Sequence, residues 1–336
     1  MSTASESAPI LVSPVPLFNY PDLSVSDYRL AISPDGSQVI FERNVEGAQT
    51  QLYIATLGDT VAPTVFPPVS PFIPSTRPDW SWTNGQVAFC AGKGEEIVIT
   101  DAAGTSIREL QDTAKMIYPA WLPSGLSLAV MNQNARNKKT HKKFIHPRTS
   151  IIDSFGDIEL NIVANHTVWA GMPCVNPGNA NQFVFAGQWR QSDEKYHQDK
   201  NYVWFVDRST DPITLRPLDQ KANQGGAYEP KFQGRAPWYS PDGNWVAFES
   251  SRADPNAYKK GVKLKDLRYA IFIQDAAGAS PAMQVTDIEY NANHAKWFPN
   301  GIELAATLYQ TPFQSLQPKK RGLYRLDVTS FVNPAG

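Results

Sequence analysis

Six residues at equivalent positions of six repeated segments are the main candidates for chemistry in this sequence. Each lies three residues before a Trp, or before the position equivalent to it, and the set is Arg29, Arg77, Tyr118, Met172, Arg235 and His294. Guanidinium groups that converge would suit a carboxylate, sulfate or phosphate, because each offers two parallel N–H donors to such oxyanions. We therefore predict a pocket for an anionic ligand, with Arg29, Arg77 and Arg235 as binding residues.

A structural alternative stays open for the same arginines. Acids close to them in sequence, such as Asp27, Asp79 and Glu229, could pair with them and fill the pocket with salt bridges. The sequence alone does not distinguish an open pocket for a ligand from a channel that is filled by salt bridges.

A repeated turn indicates how these residues are brought together. A turn built on Pro, Asp or Asn and then Gly returns six times, with its glycine at Gly36, Gly85, Gly125, Gly178, Gly243 and Gly301. Intervals of 49, 40, 53, 65 and 58 residues are typical of propeller blades. Pro presets φ at the first corner, and Gly accepts left-handed backbone without a Cβ penalty, so each copy is predicted to be a hairpin turn.

The segments between the turns have the composition of short strands. A buried strand follows each turn, as in Gln38-Val39-Ile40-Phe41, and further strands follow at 96–100 and 202–207 and, as fourth strands, at 158–163 and 213–218. Four antiparallel strands in each of six repeats predict an all-β, six-bladed β-propeller.

The ends of the chain are predicted to meet in the last blade. That blade is one strand short, and the apolar segment 10–18 would complete it as an outer strand, where its prolines cost little. We predict a disordered tail at 1–9 and a single propeller at 10–332. The predicted blades are 28–70, 76–112, 117–164, 168–220, 233–288, and 292–330 plus 10–18.

Composition limits the classes of partner. A formal net charge of −1 makes nucleic acid an unlikely partner, and no run approaches the ~20 apolar residues of a membrane span. Cys90 and Cys174 are predicted to be buried free thiols, and no motif for a cofactor or a metal is visible. The N-terminus lacks the features of a secretory leader, which predicts a cytoplasmic protein unless a leader has been removed.

Long loops mark one face of the predicted ring as functional. The loops between the second and third strands are long in four blades, at 131–148, 187–201, 249–268 and 308–321. Residues 136–148 hold eight basic or His residues and no acid, Lys142 and Lys143 among them. Such a surface would attract an anionic small molecule, an acidic glycan or an acidic protein surface, although solvated loops can also be charged without a partner.

Aromatic residues divide between the predicted core and the predicted surface. Trp189 opens one long loop and is a candidate for contact with a ligand. Trp80 or Trp82, with Trp121, Trp238 and Trp297, are predicted to pack between blades. The face with the tight Gly turns is expected to leave no room for a site.

Two phrases, Ala31-Ile32-Ser33-Pro34-Asp35-Gly36 and Ala236-Pro237-Trp238-Tyr239-Ser240-Pro241-Asp242-Gly243, together with two Asp-Ala-Ala-Gly turns, resemble the TolB-like propellers built from WD40-like repeats. The resemblance covers about residues 10 to 330. That family includes periplasmic protein-binding components, non-catalytic lids of peptidases and some polysaccharide lyases. The chain shows neither the N-terminal α/β domain of TolB nor the hydrolase domain of the peptidases.

Two functions are therefore kept. The first is a binding propeller for an anionic ligand or an acidic partner. The second, implied by the resemblance to the lyases, is an enzyme that abstracts a proton beside a uronate carboxylate, with His294 or Tyr118 as the base and Arg77 or Arg235 as the carboxylate partner. The sequence has no Gly-x-Ser-x-Gly, His-Glu-x-x-His or glycine-rich phosphate loop that would name a different reaction.

Overall fold

The computed structural model describes residues 11–19, 25–59, 61–67, 72–134, 148–153, 155–156, 158–162, 167–189, 202–211, 213–218, 233–259, 262–263, 266–309 and 320–333. These residues form six four-stranded antiparallel sheets, and the first strands of all six sheets line one central cavity. The protein is an all-β, six-bladed propeller, as predicted. No helix in the described ranges is long and apolar enough to cross a membrane. The predicted tail at 1–9 lies outside these ranges.

The first three blades follow one another along the chain. Blade 1 contains β2 (Val25–Ile32), β3 (Gln38–Val45), β4 (Gln51–Thr56) and β5 (Thr64–Val65). Blade 2 contains β6 (Ser75–Trp80), β7 (Val87–Ala91), β8 (Glu96–Thr100) and β9 (Ile107–Glu109). Blade 3 contains β10 (Met116–Trp121), β11 (Ser127–Asn132), β12 (Arg148–Asp153) and β13 (Ile158–Ile162).

The last three blades complete the ring. Blade 4 contains β14 (Thr167–Asn176), β15 (Asn179–Trp189), β16 (Tyr202–Asp207) and β17 (Thr214–Pro217). Blade 5 contains β18 (Gly234–Tyr239), β19 (Trp245–Ser250), β20 (Ala270–Asp275) and β21 (Met283–Gln284). Blade 6 contains β22 (Asn293–Trp297), β23 (Glu303–Tyr309), β24 (Arg321–Asp327) and β1 (Val15–Pro16), and a short helix α1 (Thr329–Val332) follows β24.

The N-terminal strand closes the ring, as predicted, with fewer paired residues than expected. Val15 pairs with Arg325 and Pro16 with Tyr324 at the outer edge of blade 6. The Leu17 N–H also donates to the Leu323 carbonyl at 2.9 Å. Proline is tolerated there because an edge strand leaves one row of backbone groups without a ladder partner.

The second strand of each blade is buried on both faces, which explains its lack of polar alternation. Val39, Ile40 and Phe41 of β3 are each 0% exposed. The apolar contacts run from blade to blade, so that Ile40 in blade 1 shares one cluster with Trp80 and Phe89 in blade 2. This burial between stacked sheets is the main stabilising contact of the ring.

The first strand of every blade breaks its ladder at the same point. The pairing between first and second strands shifts register near its middle in every blade, and blade 4 has two further shifts. At each of the six middle shifts one non-glycine residue has positive φ, between +23° and +56°, and these residues are Arg29, Arg77, Tyr118, Met172, Ala236 and His294. A bulge of this kind redirects a side chain, and non-glycine residues adopt it only where the surroundings enforce it. We call these six residues the bulge ring.

Carboxylates from neighbouring blades satisfy two of the backbone N–H groups that the bulges release. Glu42 of blade 1 accepts from the Arg77 N–H at 2.7 Å, and Glu249 of blade 5 accepts from the His294 N–H at 3.0 Å. Each glutamate lies six residues after the turn glycine of its own blade. Since an unpaired buried N–H is costly, these contacts help hold the bulges in place.

Substitution of two glycines by alanine distinguishes the cost of backbone strain from the cost of close packing between blades. Gly104 has φ +70°, and a Cβ there would lie 2.4 Å from the Pro67 carbonyl oxygen of blade 1, whereas Gly58 has φ +82° and open space around it. We expect Gly58→Ala to lower the free energy of unfolding by about 1 kcal/mol through backbone strain alone. Gly104→Ala should lower the free energy of unfolding, measured in urea, by at least about twice as much, because the backbone of blade 1 must also move. Equal losses would contradict this packing.

Candidate ligand site in the axial channel

The bulge ring surrounds a small cavity on the channel axis. The cavity has a volume of about 50 Å³ and is lined by all six bulge residues and by the residue after each of them. We call it the mouth cavity. Five of the six residues aligned from the sequence, namely Arg29, Arg77, Tyr118, Met172 and His294, are therefore brought together as expected.

Arg235 is the exception, and the sequence alignment of blade 5 was wrong by one residue. Tyr239, 1% exposed, occupies the position equivalent to Trp297, so the bulge falls at Ala236 and Arg235 lies just before it. Trp238, taken from sequence as the packing residue, instead lines the channel. Counting back four residues from the first residue of the turn, Ser33 or Ser240 for example, finds the bulge in five blades, and in blade 2, where the turn is one residue longer, the count starts at Ser81.

Each of the three predicted arginines meets a glutamate. The distances are 2.9 Å for Arg29–Glu42, 2.7 Å for Arg77–Glu95 and 2.7 Å for Arg235–Glu249. Salt bridges therefore form, as the structural alternative allowed, but with different acids from those expected.

The acids named from sequence have other partners. Asp27 pairs with Arg43 at 2.7 Å and Asp79 with Lys296 at 3.4 Å, while Glu229 lies outside the described residues. The Nε groups of Arg29 and Arg77 are buried and meet no acceptor within the described part of the chain. The described residues thus satisfy only part of the hydrogen-bonding capacity of Arg29 and Arg77.

His294 is held in its neutral form by its position in the ring. It is 9% exposed, and its Nε2 lies 3.0 Å from the Tyr28 hydroxyl. Burial lowers the pKa of His294 well below its usual value, and the positive charges of Arg29, Arg235, Arg321 and Lys296 lower it further. A neutral imidazole of this kind can accept a proton or exchange a hydrogen bond with Tyr28.

A larger cavity opens beside the bulge ring, between blades 1 and 6. Its volume is about 390 Å³, and its lining contains two cations and one acid, the full set being Ser26, Tyr28, Arg29, Glu42, Asn44, Thr50 and Arg321. The guanidinium carbons of Arg29 and Arg321 lie 4.5 and 4.6 Å from the centre of the Tyr28 ring. We call this the side cavity. Arg29 lines both cavities, so the two adjoin at its side chain.

The turn face also holds a cavity, and the expectation that tight turns leave no room there is wrong. A space of about 140 Å³ lies on the axis among residues of the turns and the ends of the first strands, including Ile32, Trp82, Pro123 and Pro177. We call it the turn-side vestibule. Lys296 and Trp238 line both this vestibule and the mouth cavity, so they separate the two along the axis.

Sequence reasoning missed Tyr28, Arg321 and Lys296, and it assigned Asp79 a different partner. Asp79, Trp238 and Lys296 each lie two residues after a bulge residue, at the next position of the first strand that faces the axis. Side chains of a strand alternate between its two faces, so these three residues could have been predicted by moving two positions along the first strand from each bulge residue. Tyr28 and Arg321 have no comparable signal, because Arg321 comes from the third strand of another blade.

Three sequence candidates cannot be placed. Lys142 and Lys143 lie outside the described residues, and the side chain of Trp189 is not described. Within the described ranges no group of three or more His, Cys, Asp or Glu side chains is arranged to hold a metal ion. Cys90 and Cys174 are buried and free, and burial raises the pKa of each thiol to about 12.

Comparison with solved structures supports the fold. A TolB candidate from Agrobacterium tumefaciens aligns over 90% of this chain and 90% of its own, with a TM-score of 0.58 and 14% sequence identity. TolB from Acinetobacter baumannii aligns over 78% of this chain but 54% of its own, with a TM-score of 0.53 and 13% identity. This chain therefore spans about half of that protein.

A third similar structure is an oligogalacturonate lyase in complex with manganese. It aligns over 97% of this chain and 98% of its own, with a TM-score of 0.53 and 13% identity. No protein-family model matches this sequence, and no curated protein matches it either. The class defined by the fold is the TolB-like six-bladed propeller. At these identities the similarity extends to the fold alone.

Because His294 is neutral in the folded protein, we expect the free energy of unfolding to fall at acidic pH. Its pKa is lower in the folded than in the unfolded chain, so the unfolded chain binds more protons below about pH 6.5 and stability falls as pH falls. We expect His294→Asn, which suits positive φ, to reduce the pH dependence of the unfolding free energy, by an amount that approaches about 1.4 kcal/mol per pH unit as the pH falls from 6.5 to 5. Parallel unfolding curves at several pH values measure this slope. An unchanged slope would show that His294 is protonated in the folded protein.

Proposed function

We propose that this propeller binds an anionic ligand at the side cavity and the mouth cavity. The observation that carries the proposal is the side cavity itself, where Arg29 and Arg321 flank an open space whose other lining residues include one acid, Glu42. Guanidinium groups at a partly enclosed surface favour carboxylates and phosphates, because they supply paired donors at low desolvation cost.

The charge around the bulge ring supports the same proposal. Four cations from blades 1, 5 and 6 act on one point, since all four lower the pKa of His294. Glu42 and Glu249 pair with Arg29 and Arg235, and Arg321 and Lys296 add two further cations. An anion that entered would join an existing arrangement of charges and would require little reorganisation.

The remaining sequence candidates extend the proposed surface. Arg77 and Arg235 would contribute charge from blades 2 and 5, and Lys142, Lys143 and Trp189 would contribute from the long loops on the same face. The ligand would be an anionic small molecule, an acidic glycan or an acidic protein surface. The volume of the side cavity, about 390 Å³, favours an anionic small molecule or an acidic glycan as the ligand that enters it.

A substitution pair on one strand tests the proposal. Arg321 and Arg325 both lie on β24, but Arg325 pairs with Glu303 and does not line the side cavity. We expect calorimetry to show that trigalacturonate binds to the protein. Arg321→Ala should lower the affinity roughly tenfold, because one charged hydrogen bond is lost. Arg325→Ala should leave binding within twofold, and maltotriose, which is neutral, should not bind.

Other results would contradict the proposal. Equal losses in Arg321→Ala and Arg325→Ala would indicate only a general attraction between charges. If Arg321→Ala has no effect but Lys142→Glu with Lys143→Glu abolishes binding, the ligand is bound by the loops and not by the cavities.

The enzymatic alternative rests on His294. A buried neutral imidazole beside a phenol has the protonation state that a general base needs. An absorbance assay with the same oligomer distinguishes the two functions, because a lyase would convert trigalacturonate to an unsaturated product that absorbs in the ultraviolet. Turnover that is lost in His294→Asn or in Tyr118→Phe would establish the enzyme, and binding without turnover would establish the binding protein.

A further inference from the structure

The turn-side vestibule has the features of a second binding site, which shares Lys296 and Trp238 with the mouth cavity and no residue with the side cavity. Its volume of about 140 Å³ exceeds the roughly 50 Å³ of the mouth cavity. Its rim is open to solvent, since Thr83 is exposed and Trp82, Pro123 and Pro177 are half-buried. A solute that reaches this face can therefore enter it.

Tryptophan forms much of the wall of the vestibule. The lining includes five of the nine tryptophans of the chain, namely Trp80, Trp82, Trp121, Trp238 and Trp297. Three of the indole N–H groups donate to backbone carbonyls of Gly85, Ile32 and Trp238, at 3.1, 3.2 and 3.1 Å. These bonds fix the orientation of the rings, so the apolar wall is formed before any ligand arrives.

The floor of the vestibule carries one pair of opposite charges. The Lys296 Nζ lies 3.4 Å from Asp79 Oδ1 and 2.6 Å from the centre of the Trp238 ring. Asp79 Oδ2 accepts from the Trp121 N–H at 2.9 Å. Both carboxylate oxygens are therefore engaged by the protein, and the acid does not seek a donor from a ligand.

The floor offers one charged donor to a ligand, the ammonium of Lys296. An ammonium has three N–H bonds, and among the described residues Lys296 has Asp79 as its one hydrogen-bond acceptor. A buried donor without an acceptor costs free energy, so the site favours a ligand that brings acceptor oxygens.

We propose that the turn-side vestibule binds an aromatic carboxylate, with its ring against the tryptophan wall and its carboxylate accepting from Lys296 Nζ. Flat apolar walls select a planar ring. The Lys296 ammonium selects a carboxylate over an ammonium ligand, which it would repel. Nothing on this floor would satisfy the donors of a cationic ligand except Asp79, whose oxygens are already occupied.

The protonation of Lys296 adds a dependence on pH. Burial lowers the pKa of Lys296 to about 8, although Asp79 and Cys174 act in the opposite direction. Of the titratable groups that act on it, Cys174 stays neutral below about pH 12 and Asp79 pairs with it. A carboxylate prefers the ammonium form, so affinity should be constant below pH 8 and fall above it.

The test uses 2-naphthoate as the probe and the full-length protein. We expect saturable one-to-one binding, measured by quenching of tryptophan fluorescence and by calorimetry. The double variant Asp79→Asn with Lys296→Met removes both charges together, so that neither is left buried alone, and should weaken binding at least tenfold. Ala120→Leu fills the vestibule without changing its charges and should weaken binding to a similar extent.

Controls separate this site from the proposed anion site. Arg321→Ala, which alters the side cavity, should leave naphthoate affinity within twofold, and 2-naphthylmethylammonium should bind at least tenfold more weakly than 2-naphthoate. Circular dichroism and thermal unfolding check the fold of each variant. The absence of saturable binding, binding that survives both vestibule variants, equal binding of the cation, or affinity that does not change across pH 8 would each overturn the proposal.

Discussion

The channel of this propeller depends on six backbone bulges that turn the same residue of each blade toward the axis. A regular first strand would pair fully with its neighbour. Here every first strand shifts register at one residue with positive φ, and none of these residues is glycine. Such a conformation costs of order 1 kcal/mol or more per residue, so neighbouring contacts must enforce it. Glu42 and Glu249 do so in two blades by accepting the freed N–H of the next blade.

The same glutamates connect the fold to the electrostatics of the site. Glu42 holds the Arg77 backbone and also the Arg29 guanidinium, and Glu249 holds the His294 backbone and pairs with Arg235. Each carboxylate is therefore a structural contact between blades and a counter-charge in the channel. This double use explains why paired arginines are compatible with a ligand site, because the pairing serves to position the cations around the cavities.

Along the axis the channel divides into regions of different chemistry. The bulge ring and the side cavity are rich in arginine, and the turn-side vestibule is rich in tryptophan. Lys296 and Trp238 separate them. The bulge residues and the residues two positions after them, such as Trp238 and Lys296, come from the same first strands, so one repeated element contributes to both surfaces.

Much of the fold followed from sequence because it is local and repeated. Turn glycines such as Gly36 and Gly243 set the period, and the apolar strands after them need only short-range pairing. Trp238 shows where this fails, since the adjacent Tyr239 takes the packing position and the tryptophan turns to the channel. The acidic partners of the arginines could not be predicted from sequence either, because the contacts of Glu42 and Glu249 with the next blade form only when the blades stack. Arg321 joins Arg29 only when the last blade closes on the first.

We propose that the axial channel, and not the loop surface alone, receives anions. Crystals of the protein soaked in selenate, with anomalous data collected at the selenium edge, locate the bound anion. We expect a peak in the side cavity within hydrogen-bond distance of Arg29 and Arg321, and loss of that peak in Arg321→Ala crystals. Selenate found only on loop lysines or at lattice contacts, with the side cavity empty of anion, would contradict it.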